Sequence, residues 1–231
     1  MILYLHGRNC WLPSKLDFLK QMSLKMKADV YSVAYRGFSM SDGKSTTKGI
    51  FYDLEAIVEF YRKEVQRKGG NEKVQTVLWG KSFGAAASLQ VMLMTYDIFS
   101  SLVIESPFTT VKAVYRSLIP CMGHIFAWMS KIRWDNENLI DQITVPLMII
   151  SGKKDNTTPN WMACELFERA TSAPKKKLYN IENAKHRSLH KFDDDFWPKV
   201  IAFFSETTAP TINSGQTDQE DGHGILLKYT K

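Results

Sequence analysis

The feature that most constrains this chain is a strand-turn-helix transition ahead of its midpoint. Val74 to Trp79 reads as a β-strand, Gly80-Lys81-Ser82-Phe83-Gly84 follows, and an alanine-rich helix is predicted from Ala85 to about Tyr96. Gly-x-Ser-x-Gly is the pattern required where a buried strand turns sharply into a helix. The flanking glycines let the two elements approach, and the serine sits at the tip in a strained backbone conformation with its hydroxyl exposed. The helix that follows directs the positive end of its dipole at the same point. A tight turn with an idle serine is the structural alternative, and the strand before and helix after favour a nucleophile at Ser82.

The rest of the chain repeats the same grammar. Short runs at Ile2–Leu5, Val30–Tyr35, Leu102–Ile104, Leu147–Ile150 and Lys177–Ile181 read as strands. Between them lie helical patterns, such as Phe51, Leu54, Ile57, Val58, Tyr61 and Val65 on one face, with others at Trp161–Arg169 and Asp193–Phe204. A helix is also predicted after Pro13, with Ser14 and Asp17 resembling a capping box. Strands alternating with helices predict an α/β fold, a mostly parallel twisted sheet with helices on both faces. The expected organisation is one domain over residues 1–206, with a small cap inserted at about 107–145, and a disordered tail over 207–231, where the sequence turns polar. The apolar cap residues, among them Leu118, Ile119, Phe126 and Trp128, suit an acyl pocket and suit packing of the cap onto the core equally well.

Composition narrows the function classes. The net charge is +6, but acidic and basic residues are interleaved and the basic runs Lys153-Lys154 and Lys175-Lys176-Lys177 are short. That describes a mildly basic surface and not a nucleic-acid groove, with anionic head groups or acidic partners as the sharper reading of the lysine runs. The cysteines are Cys10, Cys121 and Cys164, an odd and widely spaced set that signals neither a disulfide framework nor a zinc site. There is no apolar run of membrane-spanning length and no signal-peptide pattern after Met1, so a cytoplasmic protein is expected, with peripheral membrane contact as the alternative.

An acyl-transfer nucleophile needs a base and an orienting acid, which in this fold class follow it in the order Ser, Asp or Glu, His, each beyond the end of a strand. Asp155 lies in the loop after Leu147–Ile150, and His186 follows Lys177–Ile181 by a short loop. Glu105, at the end of the fourth strand, is the rival acid, and His190 is the other histidine after Asp155 in the folded part. Negative charge developing on a carbonyl oxygen needs backbone N–H donors. The expected ones are Phe83, directly after the nucleophile, and Arg8, after His6-Gly7 at the end of the first strand.

Together, Leu3-Tyr4-Leu5-His6-Gly7, Tyr35-Arg36-Gly37-Phe38, the Ser82 turn, Glu105-Ser106-Pro107-Phe108 and the Pro146–Pro159 stretch resemble the small-cap α/β-hydrolase-domain serine hydrolases. That branch includes membrane-associated esterases and protein depalmitoylases. The resemblance covers roughly residues 2–205. It implies ester or thioester hydrolysis through an acyl-enzyme, no metal or organic cofactor, and a small-molecule, lipid or acylated-protein substrate. Relatives usually carry two further strands before the His-Gly strand, often behind a membrane anchor, so the sheet is expected to lack its first two strands and to leave Val30–Tyr35 as an unprotected edge. The chain reads as a fragment or truncated product in that respect, and it has no N-terminal cysteine cluster of the depalmitoylase kind. The rival functions are a catalytically inactive binding protein of the same fold, and a serine peptidase or acyltransferase on the same triad.

Overall fold

A computed structural model describes residues 1–8, 10–95, 97–119, 134–207 and 225–229. A sheet of seven strands runs through it: β1 (Ile2–Leu5), β2 (Val30–Ala34), β3 (Val77–Lys81), β4 (Ser101–Glu105), β5 (Leu147–Gly152), β6 (Lys176–Ile181) and β7 (Ile225–Tyr229). The order across the sheet is β6-β5-β4-β3-β1-β2-β7, and each neighbouring pair is parallel. The helices are α1 (Leu16–Met26), α2 (Thr47–Arg67), α3 (Phe83–Met94), α4 (Val111–Leu118), α5 (Asn160–Arg169) and α6 (Phe196–Thr207).

The strand period of two divides the core. Leu3 and Leu5 pack on one side with α2, α3 and α5, while Ile2 and Tyr4 pack on the other with α1 and α6. The central strands are buried along their whole length, as a parallel sheet covered on both faces requires. Trp79, packed against Phe18, Phe196 and Trp197, is the largest fully buried side chain of the α1–α6 side.

Three expectations change. The third strand runs over Val77–Lys81 instead of Val74–Trp79, because its backbone stays paired to β1 up to Gly80 and to β4 up to Lys81. The hydroxyl of Ser14 donates to the Trp11 carbonyl at 2.7 Å in a single 3-10 turn, and α1 begins after Lys15 with no side-chain cap, so the Ser14–Asp17 capping box does not form. At the tail, Ile225–Tyr229 is a strand paired in parallel with β2 from Val30 to Ala34. The disorder expected there does not extend to those residues, and the edge of β2 is covered. An apolar pentad, Ile-Leu-Leu-Lys-Tyr, offered next to an open row of backbone N–H and C=O groups satisfies both. The rest of the expected tail, 208–224, and the middle of the expected cap, 120–133, lie outside the described residues. The described ends of the cap are tied together by an antiparallel bridge between Thr110 and Asp135.

Candidate active site

Ser82 stands at the C-terminal edge of the sheet, between β3 and α3, with φ 53° and ψ −112°. A non-glycine residue held there is strained, and neighbours must over-determine it. They do: the Ser82 N–H donates to the Glu105 carbonyl at 2.8 Å, and its own carbonyl receives Ala85 N–H at 2.9 Å. The two glycines are obligatory. A Cβ on Gly84 would lie 1.9 Å from the Leu5 carbonyl oxygen, and one on Gly80 would lie 2.2 Å from that of Gly84.

The structure brings Ser82, His186 and Asp155 together. His186 Nε2 is 3.2 Å from Ser82 Oγ, and His186 Nδ1 is 2.8 Å from Asp155 Oδ2. Nδ1 carrying the proton toward the carboxylate leaves Nε2 free to accept from the serine hydroxyl. Asp155 is buried and its other oxygen, Oδ1, accepts the amides of Thr157 and Thr158 at 2.8 and 2.9 Å. Burial is the strongest single influence on this carboxyl and pushes it up. The His186 hydrogen bond and charge together with the two amides outweigh it and hold Asp155 below the usual carboxylate range.

Glu105 does not join this chain. Its carboxylate forms a buried ion pair with Lys81, and its second oxygen has no hydrogen-bond partner. Lys81 and Glu105 follow the strand period onto the α1–α6 side of the sheet, behind the serine. His190 likewise packs between Phe18 and Phe196. His6 is fully buried at the end of β1, with its Nδ1 on the Gly7 carbonyl at 2.8 Å and its ring against Tyr35 and Phe38. Burial lowers its pKa to about 4, so it is a neutral, loop-organising ring.

Of the expected oxyanion donors, Phe83 opens α3, where an amide has no intrahelical acceptor. Gly7 adjoins Ser82, since a Cβ there would sit 3.4 Å from Ser82 Cβ, and this puts the Gly7-Arg8 segment beside it. The Arg8 side chain is exposed. Among the described residues no group of His, Cys, Asp or Glu is arranged to hold a metal ion.

Two contributors were not legible in the sequence. Thr158 is buried, and its Oγ1 lies 3.0 Å from Asp155 Oδ2, 3.2 Å from His186 Nδ1 and 3.2 Å from the Ser106 carbonyl. With one hydrogen to give, the hydroxyl donates to Asp155 Oδ2 or to the Ser106 carbonyl, and its oxygen lies within reach of His186 Nδ1–H. Its spacing of three from Asp155 is the only trace in the chain, and it also suits an ordinary Asx turn. The second is an aromatic wall. Phe83 stacks on Phe38 and meets Trp134 and Tyr35 edge-on, at centroid distances of 6.1, 5.2 and 5.7 Å. Phe51 stacks on Trp134 in turn. Of the apolar cap residues, Leu118 and Ile119 are exposed, and Phe126 and Trp128 lie outside the described residues.

The chain as a whole is similar to known proteins. Residues 43–211 match the prolyl oligopeptidase family. The chain belongs to this family. Its fold is the α/β-hydrolase fold: an esterase of Pyrococcus furiosus, Pf2001, superposes with a TM-score of 0.69 at 22% identity over 89% of this chain and 82% of the other. Among curated proteins it is similar to protein bem46 of Schizosaccharomyces pombe, 26% identical over 88% of this chain and 66% of that one. It is also similar to the lysophosphatidylserine lipase ABHD12 of Xenopus tropicalis, 27% identical over 86% of this chain and 50% of that one. The chain therefore spans about half to two thirds of the length of these relatives. Family and fold are those of hydrolases. Among the described residues no helix is long and apolar enough to cross a membrane.

Proposed function

We propose that this protein is a serine hydrolase that cleaves carboxylic ester or thioester bonds through an acyl-enzyme, with Ser82 as nucleophile, His186 as base and Asp155 as orienting acid. The observation that carries this reading is the continuous hydrogen-bonded line from Ser82 Oγ through the imidazole of His186 to Asp155.

The chemistry follows from that line. His186 Nε2 takes the hydroxyl proton as Ser82 Oγ bonds to the acyl carbon. The carbonyl oxygen becomes an oxyanion facing the amides of Phe83 and Arg8. The bond to the leaving alcohol or thiol breaks, and the leaving group takes the proton from His186. Water then gives a proton to His186 and attacks the acyl carbon, and the bond to Ser82 Oγ breaks as His186 returns the proton to that oxygen, which releases the free acid. Asp155 keeps the imidazole in the required tautomer and stabilises its charge throughout. The wall of Phe38, Phe83 and Trp134 supports an apolar acyl group as substrate. The esterase and lipase names of similar proteins support the same class.

The prolyl oligopeptidase family match favours a second reading, peptide-bond cleavage on the same residues. Replacing Ser82 by Ala should lower kcat on short acyl esters by roughly 10⁴- to 10⁶-fold while the thermal transition is retained. A fluorophosphonate should label the parent at Ser82 and leave the variant unlabelled. An unlabelled parent chain would make this a binding protein, and faster turnover of proline-containing peptides than of esters would make it a peptidase.

A further inference from the structure

On the side of the sheet away from α3 and α4 there is a cavity of about 430 Å³. That is within the size range of small-molecule pockets, roughly 300–1,000 Å³. It lies between α1 and the segment that follows His186, and Ser82, His186 and Asp155 do not line it. Its lining is polar, unlike the aromatic wall beside Ser82.

Two independent observations point to a ligand. The first is charge. Lys15, Lys20 and Lys191 line the cavity, and none of them has a carboxylate partner among the described residues. Asp17 is the one unpaired acid in the lining, since Glu105 is neutralised by Lys81. Three cations against one anion leave an excess of two positive charges. The second is a donor that opens into the cavity. Tyr4 is 1% exposed as a residue and lines the cavity, and its hydroxyl opens to it without a hydrogen bond to the described residues. His190 beside it is also without a hydrogen-bond partner there, and burial holds its imidazole below the usual range and hence neutral. That hydroxyl faces the cavity, so its acceptor is whatever occupies the cavity.

We propose that this cavity binds the phosphate group of a small phosphorylated molecule or of a phospholipid head group, held by Lys15, Lys20 and Lys191 at the rim and by the Tyr4 hydroxyl within. A phosphate monoester carries roughly −1.5 to −2 charges at neutral pH and three acceptor oxygens, which matches both the charge excess and the idle donor. A carboxylate carries half the charge. The site stands whether or not Ser82 is the nucleophile, because it shares no residue with that machinery.

The test uses the full chain. Titration calorimetry with inorganic phosphate and with glycerol 3-phosphate should show saturable binding, stronger for the ester, with acetate at equal ionic strength giving none. Lys15→Gln combined with Lys191→Gln should weaken it at least about tenfold, the equivalent of 1.4 kcal/mol. Both side chains reach solvent, so the fold and the ester turnover should be unchanged. Tyr4→Phe should weaken binding without altering charge. Co-sedimentation with phosphatidylcholine vesicles, with and without phosphatidic acid, separates the sources. Capture by the acidic vesicles that glycerol 3-phosphate reverses assigns a lipid head group, and binding of the soluble ester alone assigns a free metabolite. Absence of saturable phosphate binding, or equal binding by the double-lysine variant, overturns the proposal.

Discussion

Two buried carboxylates stand at the ends of neighbouring strands, and they do opposite things. Asp155 follows β5, lies on a loop that curls over the sheet edge, and meets His186. Glu105 ends β4, is held in the strand ladder opposite Ile150, and projects down one face of the sheet to Lys81. Burial and strand position are shared. The difference is the backbone after the strand: a loop can turn its side chain back toward a neighbour, and a residue still in the ladder must follow the pleat. Proximity to Ser82 in the chain or the sheet therefore does not decide which carboxylate meets His186. Direction does.

The sharpest way to break that comparison is to neutralise each carboxylate in turn. Asp155→Asn should lower kcat on esters by about 10³- to 10⁴-fold by presenting the wrong tautomer of His186. Glu105→Gln should leave kcat per folded molecule within about threefold, since the group acts behind the serine. Equal losses in the two variants would move the acid to Glu105. Stability should show the reverse ranking. Lys81→Met strands the Glu105 charge in the core and should cost about 3 kcal/mol in urea unfolding, more than any surface lysine change. A cost below about 0.5 kcal/mol would mean that the pair is hydrated in solution.

Thr158 sharpens the comparison from the other side, because its hydroxyl contacts Asp155, whereas Glu105 is held by the Lys81 ammonium. Thr158→Val should reduce kcat about tenfold with little change in KM, and Thr158→Ser should restore most of it. A valine variant with full activity would reduce the hydroxyl to a packing role. The smallest effect concerns pH. The pKa of Asp155 is depressed by folding, so its ionised form contributes stability above the ordinary carboxylate range, and that contribution is lost as pH falls through the lower folded value. The stability gap between parent and Asp155→Asn should therefore be open at pH 6 and narrow on acidification below about 3.8. A gap that widens with acid would reverse the sign of the shift.

The sequence by itself determined the parallel α/β layout, because strand and helix periods are local and each run carries its own. It also determined the turn at Ser82, where only glycine fits at positions 80 and 84, and the chain order that made His186 and Asp155, with Glu105 as rival, the candidates. What lay beyond it were relations between distant residues. The imidazole and the hydroxyl are 104 positions apart, and nothing local says that they meet. Which of Asp155 and Glu105 meets His186, the place of Thr158 and the wall of Phe38, Phe83 and Trp134 were all decided in three dimensions. So was the fate of the β2 edge: Ile225–Tyr229 reads as the end of a polar tail, and only the open backbone of a distant strand makes it a strand. Local periodicity fixes which element a segment becomes. Which side chains then converge depends on how the sheet twists and how its loops return, and that information is spread over the whole chain.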